Sequence, residues 1–204
     1  MGRTRIFDER DAARAALDVF WDRGFEATAV PDLEGATGLS RSSIYHSFGS
    51  KRGLFDAAVD TYLAEVVRPR LAPLQADTVA SDALVEYMRG LRHVMADGTR
   101  HLATHGCLLL NTATSPVGID DTLREIVRNY RRELTHAITR GVEAAHPEFR
   151  AERTARLGTT CSAHVIAAMT LARVDTEGAI ALLDNAIQLI VDPNEIIETG
   201  RMTA

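Results

Sequence analysis

Apolar residues recur at spacings of three and four along almost the whole of this 204-residue chain. That period is typical of helices with one buried face, and no segment shows the alternation of a strand. The sequence therefore predicts an all-α protein. With 46% hydrophobic and 25% charged residues, the chain has enough apolar material for one sizeable body, or for a small domain joined to a larger one.

The N-terminal third begins with two helix signals. The first predicted helix, over residues 8–23, ends at Gly24. Thr28 is placed to cap a second helix that ends at Gly38, and Pro31 is tolerated there because first-turn amides have no helical partner to lose.

Two serines then begin the next two helices. Ser40 caps a short helix over residues 41–47, and Ser50 caps a longer fourth helix. A helix, a three-residue turn and a second helix form a helix-turn-helix pattern.

Two prolines suggest where this region ends. Pro69 and Pro73 predict that the fourth helix stops near Arg68, where we place a domain boundary. The predicted organisation is a helix-turn-helix domain over residues 1–50, a connecting helix over 51–68 and a larger helical domain over 69–204. Helices of the larger domain are predicted over residues 83–96, 107–112, 119–145, 152–174 and 176–191.

The short helix lies in a locally basic stretch of an acidic chain. The net charge is −5, yet no acid occurs from Ala36 to Phe55, where Arg41, Lys51 and Arg52 gather. The acidic total opposes indiscriminate binding of nucleic acid, whereas a local basic patch can still dock on phosphates. No secretion signal and no apolar run long enough for a bilayer are evident, so we expect a cytoplasmic protein.

One face of the short helix is suited to double-stranded DNA. At about 100° per residue, Arg41, Ser42, Tyr45 and His46 share one arc. Arginine can bond the acceptor edge of guanine, whereas serine, histidine and tyrosine reach base edges or phosphates. Lys51 would hold the neighbouring backbone. Two short helices that merely pack together would show the same pattern, since a fold alone does not fix a function.

Three motifs make the match more specific. T-x-V-x-D-L begins at Thr28, A-T-G-L-S begins at Ala36, and I-Y-x-x-F-x-S-K-x-x-L begins at Ile44. After an amphipathic first helix, this succession resembles the DNA-binding domain of the TetR/AcrR family of bacterial transcriptional regulators. The resemblance covers about residues 8–67, and the all-helical remainder fits the family without carrying a motif.

The resemblance assigns roles to individual residues. It places the family's recognition helix on Arg41 to Ser47, its phosphate-binding tyrosine on Tyr45 and its fourth-helix lysine on Lys51. Pro31 and the pair Glu34–Gly35 depart from the family pattern without touching the expected reading face. The implied DNA-binding residues are Thr28, Arg41, Ser42, Ser43, Tyr45, His46, Ser47 and Lys51.

The resemblance also implies a homodimeric repressor that reads a two-fold operator and is released when a small effector binds its larger domain. Apolar stripes on the last two helices predict the dimer interface, unless both stripes face the subunit's own core. The predicted interface residues are Leu157, Cys161, Val165, Ala168, Ile180, Leu183, Ile187 and Ile190.

Polar or sulfur-containing residues within apolar stretches are candidates for the effector pocket. Each could equally be a core residue whose polar atoms are hydrogen-bonded within the protein. As a set they suggest an apolar cavity with few polar anchors, suited to an uncharged or weakly charged organic ligand. They are Tyr62, Tyr87, His93, Met95, Cys107, Asn111, Tyr130, His164 and Met169.

Cys107 supports a second hypothesis. It lies in a G-C-L-L-x-N segment, with which some family members sense oxidants or electrophiles, and His105 or helix-start amides would favour its thiolate. A buried, unreactive cysteine is the alternative. An effector-free DNA-binding scaffold is a further possibility. No cofactor or metal is predicted, and an enzyme is disfavoured because no nucleophile elbow, phosphate loop or carboxylate pair occurs.

Overall fold

The computed structural model describes residues 8–98 and 101–193, and this part of the chain is helical with no strand. Nowhere in the described ranges does a helix combine the length and apolarity that a membrane crossing requires. The helices are α1 (Glu9–Ala27), α2 (Val30–Thr37), α3 (Arg41–Phe48), α4 (Lys51–Tyr62), α5 (Arg68–Gln75), α6 (Ala83–Asp97), α7 (His101–His105), α8 (Leu108–Ala113), α9 (Asp121–Ala145), α10 (Ala151–Leu171) and α11 (Thr176–Val191), with a π turn at Leu63–Val67 and a 3-10 turn at Pro116–Ile119.

Helices α1 to α4 form the predicted helix-turn-helix region. Gly24 interrupts α1 at φ 78° and Gly38 ends α2 at φ 67°, a left-handed backbone that glycine adopts at little cost. The helices meet over one apolar core, in which the Phe20 and Phe55 rings pack edge to face with centroids 5.0 Å apart. Its fully buried members include Phe20, Leu33, Ile44, Leu54 and Phe55.

The helical path does not stop near Arg68, so that prediction is wrong. It continues from α4 through the π turn into α5, which contains Pro69 in its first turn and Pro73 in its interior. Pro69 has no amide hydrogen to donate to a preceding carbonyl, and the helix widens to a π turn directly before it. Continuous helix thus crosses the predicted 68/69 domain boundary.

The larger helical region is built around α9 and α10. Helix α10 packs against both α9 and α11, and α11 packs against α6. Gly158 brings α10 close to α9, because a β-carbon there would lie 2.3 Å from the hydroxyl oxygen of Thr139. Helix α7 was not predicted as a separate element, since it has only five residues and ends beside Gly106, which has φ 65°.

Most of the predicted dimer interface instead lies in the subunit's own core. Cys161, Val165, Ala168, Leu183 and Ile190 are at most 2% exposed in the single chain. Burial raises the pKa of Cys161 to about 12, so its thiol stays neutral. Only three predicted interface residues are half-buried, namely Leu157, Ile180 and Ile187. The alternative that the stripes face the subunit's own core is therefore correct for five of the eight residues.

Candidate functional site

The short helix α3 is fixed by its two ends. The Ser40 hydroxyl accepts a hydrogen bond from the Ser43 amide at 3.2 Å, which satisfies one of the unpaired donors of the first turn. At the other end the Gly49 amide donates to the Tyr45 carbonyl at 3.0 Å. Ile44 is fully buried beneath the helix, so the opposite side must face outward.

The outward side of α3 carries the four residues predicted from helical spacing. Arg41, Ser42, Tyr45 and His46 are all exposed, and the Arg41 guanidinium lies 5.5 Å from the centre of the Tyr45 ring. Ser43 and Ser47, also predicted to bind DNA, are half-buried on the flanks of the helix. We refer to Arg41, Ser42, Tyr45 and His46 as the reading face.

The start of α4 lies beside this face. The Ser50 hydroxyl accepts from the Gly53 amide at 3.0 Å, as predicted for a cap. Lys51, the first helical residue, places its ammonium group 4.4 Å from the centre of the Phe25 ring. This cation–π contact holds the lysine near the helix N-terminus, where the helix dipole also favours an anion.

The prediction for Thr28 is wrong. Its side chain is only 1% exposed, and its hydroxyl donates to the Gly24 carbonyl at 2.7 Å. The N-cap of α2 is Ala29, whose amide donates to the Asp32 carboxylate at 2.8 Å. Thr28 closes the α1–α2 turn, so its hydroxyl is not available to a phosphate.

Glu34 is a residue of this region that sequence reasoning missed. Its carboxylate accepts from the Arg41 amide at 2.6 Å, so a negative charge lies at the N-terminus of α3 beside the reading face. Glu34 also borders a shallow surface hollow together with Ser40, Arg41, Ser42 and Tyr45. The signal was its departure from the family pattern, which we expected to leave the reading face untouched.

A second cluster lies in the larger helical region. Tyr62 donates its hydroxyl to the Cys107 sulfur at 3.3 Å, and the Cys107 thiol lies 3.7 Å from the Tyr130 hydroxyl. Burial, followed by the neighbouring Cys107, raises the pKa of both tyrosines. The phenols are therefore neutral hydrogen-bond donors over a wide pH range.

This cluster borders a small internal cavity of about 30 Å³. Such a space has room for a water molecule or two but not for an organic ligand. Of the predicted pocket residues, Tyr62, Tyr87, Tyr130 and Met169 line the cavity. Its other lining residues are Val66, Val67, Arg70, Leu71, Leu91, Leu102, Leu134 and Val165. Sequence reasoning missed Arg70, because one arginine among many exposed ones gives no periodic signal.

The remaining predicted pocket residues lie outside this lining. His93 is exposed, and Met95 is buried in the core away from the cavity. Asn111 donates to the His105 carbonyl at 2.7 Å, and His164 bonds the Thr160 carbonyl with a ring nitrogen at 2.9 Å. Asn111 and His164 therefore have structural partners of their own, and none of these four residues lines the cavity with the tyrosines.

His105 does not activate Cys107. Its ring bonds the Asp22 carboxylate at 2.9 Å and the Thr104 hydroxyl at 2.7 Å. Cys107 is the N-cap residue of α8, but its side chain makes no capping hydrogen bond, and it is only 1% exposed. Neither of the two features expected to favour a thiolate is present at the sulfur.

Several contacts join the helix-turn-helix region to the larger region. The Trp21 indole donates to the Gly106 carbonyl at 2.9 Å. Arg52, in the first turn of α4, donates to the Asp120 carboxylate at 2.8 Å. Asp120 caps α9, and its bond to Arg52, followed by that from the Leu123 amide, lowers its pKa to about 2.

Comparisons with known proteins agree with this geometry. Residues 13–58 match the family model described as bacterial regulatory proteins, tetR family. The transcriptional repressor BdcR of Escherichia coli (strain K12) is 28% identical over 148 residues, which cover 72% of each chain. A cysteine mutant of the TetR-family regulator CifR, solved with a 26-base-pair operator DNA, is 26% identical over 92% of this chain and 98% of its own, with a TM-score of 0.74.

A solved TetR transcriptional regulator from Chloroflexus aurantiacus J-10-FL matches along nearly its whole length. It is 30% identical over 90% of this chain and 94% of its own, with a TM-score of 0.69. The likeness therefore spans both the helix-turn-helix region and the larger helical region. With its capped α3, its outward reading face and this full-length likeness, the chain belongs to the TetR family of bacterial transcriptional regulators.

Proposed function

We propose that the protein is a homodimeric transcriptional repressor that binds a palindromic DNA operator and leaves it when a small organic molecule binds the larger helical region. The observation that carries the proposal is the reading face, which is exposed on α3 while Ile44 anchors the helix from beneath. A helix held in this way fits the major groove. The operator complex of CifR supports this mode of binding.

The residues of the interface divide into two roles. Arg41, Ser42 and His46 bear donors or acceptors that suit base edges. Tyr45 and Lys51 suit phosphates, because a phenol hydroxyl and a lysine ammonium at a helix start both fit the DNA backbone. Ser43 and Ser47 flank the groove contact. Thr28 takes no part through its hydroxyl.

The dimer interface lies on the outward side of α10 and α11. Because the predicted stripes are largely buried within one chain, pairing must use the opposite faces. These faces are rich in small and apolar side chains, which allow two helix pairs to approach closely as a four-helix interface. The exposed residues on these faces are Thr160, Ala163, Ala181 and Asn185, and the half-buried ones are Ala167, Leu182 and Leu189.

Release of DNA requires a path from the larger region to α1 and α4. Trp21 and Arg52 provide direct contacts, to Gly106 and Asp120 respectively. An effector that favours another arrangement of these segments changes the distance between the two reading faces of the dimer, and such a dimer no longer matches two half-sites one DNA turn apart.

Selection from a random DNA pool tests the DNA-binding part, and a ligand screen by thermal shift tests the sensing part. A ligand that binds only the folded state raises the melting temperature. Protein that enriches a palindrome and is released by such a ligand supports the proposal. Protein that enriches a palindrome but binds nothing in the screen would instead support the effector-free scaffold.

Thiol sensing by Cys107 is the alternative mechanism. The Tyr62 bond to its sulfur favours a specific role, whereas its 1% exposure opposes attack by an oxidant or electrophile. Anisotropy of labelled operator during treatment with hydrogen peroxide separates the two mechanisms. Release by peroxide that Cys107→Ser abolishes would establish thiol sensing, whereas equal release from both proteins would exclude it.

A further inference from the structure

Arg70 lies between the small internal cavity and a wider external groove. The groove, between α5 and α6, has a volume of about 680 Å³ and opens to solvent. Arg70, Tyr87 and Leu91 line both spaces. The groove is within the size range of sites for small organic ligands, whereas the cavity of about 30 Å³ is not.

The guanidinium of Arg70 has most of its donors unused. One nitrogen donates to the Val66 carbonyl at 2.6 Å. Within the described ranges Arg70 forms no ion pair with a carboxylate, and this residue is half-buried. A partly desolvated cation with five N–H donors and a single carbonyl partner gains more from an anion than a fully hydrated arginine does.

Tyr87 provides a second donor beside it. Burial raises its pKa above the ordinary value of 10, so the phenol is protonated at neutral pH. Its hydroxyl has no hydrogen-bond partner among the described residues. The Tyr87 phenol lies near both Cys107 and Arg70, so the arginine and the phenol offer donors from α5 and α6 at the boundary between the cavity and the groove.

The other walls of the groove are largely apolar. The exceptions are two acids on α6: Glu86 is paired with Arg89 at 2.8 Å, and Asp82 is exposed to water. A second negative charge on a ligand would be repelled by these acids, whereas an uncharged tail meets the apolar surface. The apolar lining residues are Pro69, Pro73, Ala80, Ala83, Gly90, Leu91 and Val94.

We infer that this groove binds a monocarboxylic acid with an apolar body, with the carboxylate held by Arg70 and Tyr87 and the body lying along the α5–α6 walls. The inference rests on the proposed function, since such an acid is then the class of effector. It replaces the expectation of an uncharged or weakly charged ligand, because the sequence does not show that Arg70 lies in the wall of the groove.

The site also has a connection to the DNA-binding region. Arg70 donates to Val66, which lies in the π turn that joins α4 to α5. A carboxylate competes with the Val66 carbonyl for the guanidinium. Binding of the carboxylate therefore acts on the π turn, which is the widened part of the continuous helical path that begins at Lys51.

Isothermal titration of the full chain with three matched compounds tests the inference. The probes are 4-phenylbutyrate, 4-phenylbutanamide and 4-phenylbutylamine, with octanoate as a second acid. We expect both acids to bind and the amide and amine to bind at least about tenfold more weakly, because hydrogen bonds between charged groups are stronger than neutral ones. Equal binding of acid and amide, stronger binding of the amine, or no binding of either acid would overturn the inference.

Three variants locate the site. Arg70→Gln should weaken 4-phenylbutyrate about tenfold or more, whereas Arg68→Gln, an exposed neighbour on α5, should not change its affinity. Gly90→Leu should fill the groove, since a β-carbon at Gly90 meets no atom within 4 Å, and should abolish binding even if Arg70→Gln proves unstable. Full binding by Gly90→Leu would contradict the location.

Calorimetry without DNA separates this inference from the proposed function. Protein that enriches a palindrome but binds neither acid retains the proposed function and disproves the carboxylate site. Protein that binds the acids through Arg70 but enriches no DNA sequence retains the site and disproves the repressor.

Discussion

The indole of Trp21 donates to the main-chain carbonyl of Gly106 across 2.9 Å, and this buried bond joins α1 to the residue before Cys107. The Trp21 ring also packs edge to face against Tyr62, with centroids 4.9 Å apart. Tyr62 in turn bonds Cys107. One tryptophan therefore contacts the tyrosine–cysteine cluster of the larger region from the first helix of the DNA-binding region.

Replacing Trp21 by phenylalanine should destabilise the protein by about 1–3 kcal/mol, because it leaves the Gly106 carbonyl without its donor in a buried place. Urea unfolding followed by circular dichroism measures this, since Trp21 is the only tryptophan and fluorescence would be lost. Tyr45→Phe, an exposed change on α3, serves as the control and should shift stability by less than about 0.5 kcal/mol. Equal stability of wild type and Trp21→Phe would remove the role assigned to this bond.

The Arg52–Asp120 ion pair should make the folding stability of the protein depend on pH. The folded-state pKa of Asp120 is lowered from 3.8 to about 2, so the stability it contributes is present above the ordinary value and is lost as the pH falls toward 2. Asp120→Asn keeps a side chain that can cap α9 but removes the charge. The difference in melting temperature between wild type and Asp120→Asn should therefore shrink as the pH falls from about 5. A constant difference over this range would show that the ion pair does not contribute.

Lys51 and the reading face should respond differently to substitution. Lys51→Ala should weaken binding to all duplexes alike and reduce the salt dependence by about one released counterion, because the lysine contacts a phosphate. Arg41→Ala and His46→Ala should each weaken the free energy of binding to the preferred sequence by about 1–3 kcal/mol. Each should also relax discrimination at particular base pairs. Anisotropy titrations against the preferred and a scrambled duplex distinguish these patterns. A change of sequence preference in Lys51→Ala would reverse the assignment of roles.

Glu34→Gln should strengthen binding to every duplex several-fold, because it removes a negative charge next to the phosphates while a carboxamide can still accept from the Arg41 amide. The effect should diminish with added salt, as expected for a screened charge. Asp77→Asn, far along the chain in the larger region, provides a control with the same change of net charge. If Asp77→Asn and Glu34→Gln behaved alike, only overall charge would matter.

The revised dimer interface predicts that Ala167→Arg converts the protein to a monomer, because Ala167 is only half-buried in the single chain, belongs to the proposed pairing face of α10, and a long charged side chain there would separate the helices. Light scattering after size-exclusion chromatography measures the mass. Val165→Ala is the contrasting variant, because Val165 is 1% exposed within the chain. It should lower stability by about 0.5–3 kcal/mol and leave the dimer intact. The reverse pattern would restore the interface predicted from the sequence.

The DNA-binding region was largely predictable because its signals are local. The caps Ser40 and Ser50, the stop at Gly38 and the exposed arc of α3 all depend on residues within one or two turns. The prediction that Thr28 caps α2 was wrong because its hydroxyl donates to the Gly24 carbonyl, a competing local contact that composition does not reveal.

The larger region was less predictable because its properties depend on tertiary contacts. An apolar stripe on α10 or α11 indicates a buried face, but it does not say whether the partner is the same chain or a second copy. Arg70 became a candidate only when folding placed it between two spaces. His105 lies two residues before Cys107 in the sequence, but its ring instead bonds Asp22, 83 residues away along the chain.

The most direct test of the central claim is selection of duplexes from a random pool by the purified protein, followed by sequencing. A homodimer with two reading faces predicts enrichment of a palindrome whose half-sites are centred about one helical turn, or roughly 10 base pairs, apart. The same selection with Arg41→Ala should retain the palindromic spacing and lose preference at one or two positions in each half-site. If the wild-type protein enriched no sequence at low salt, the reading face on α3 would not be a DNA-recognition surface.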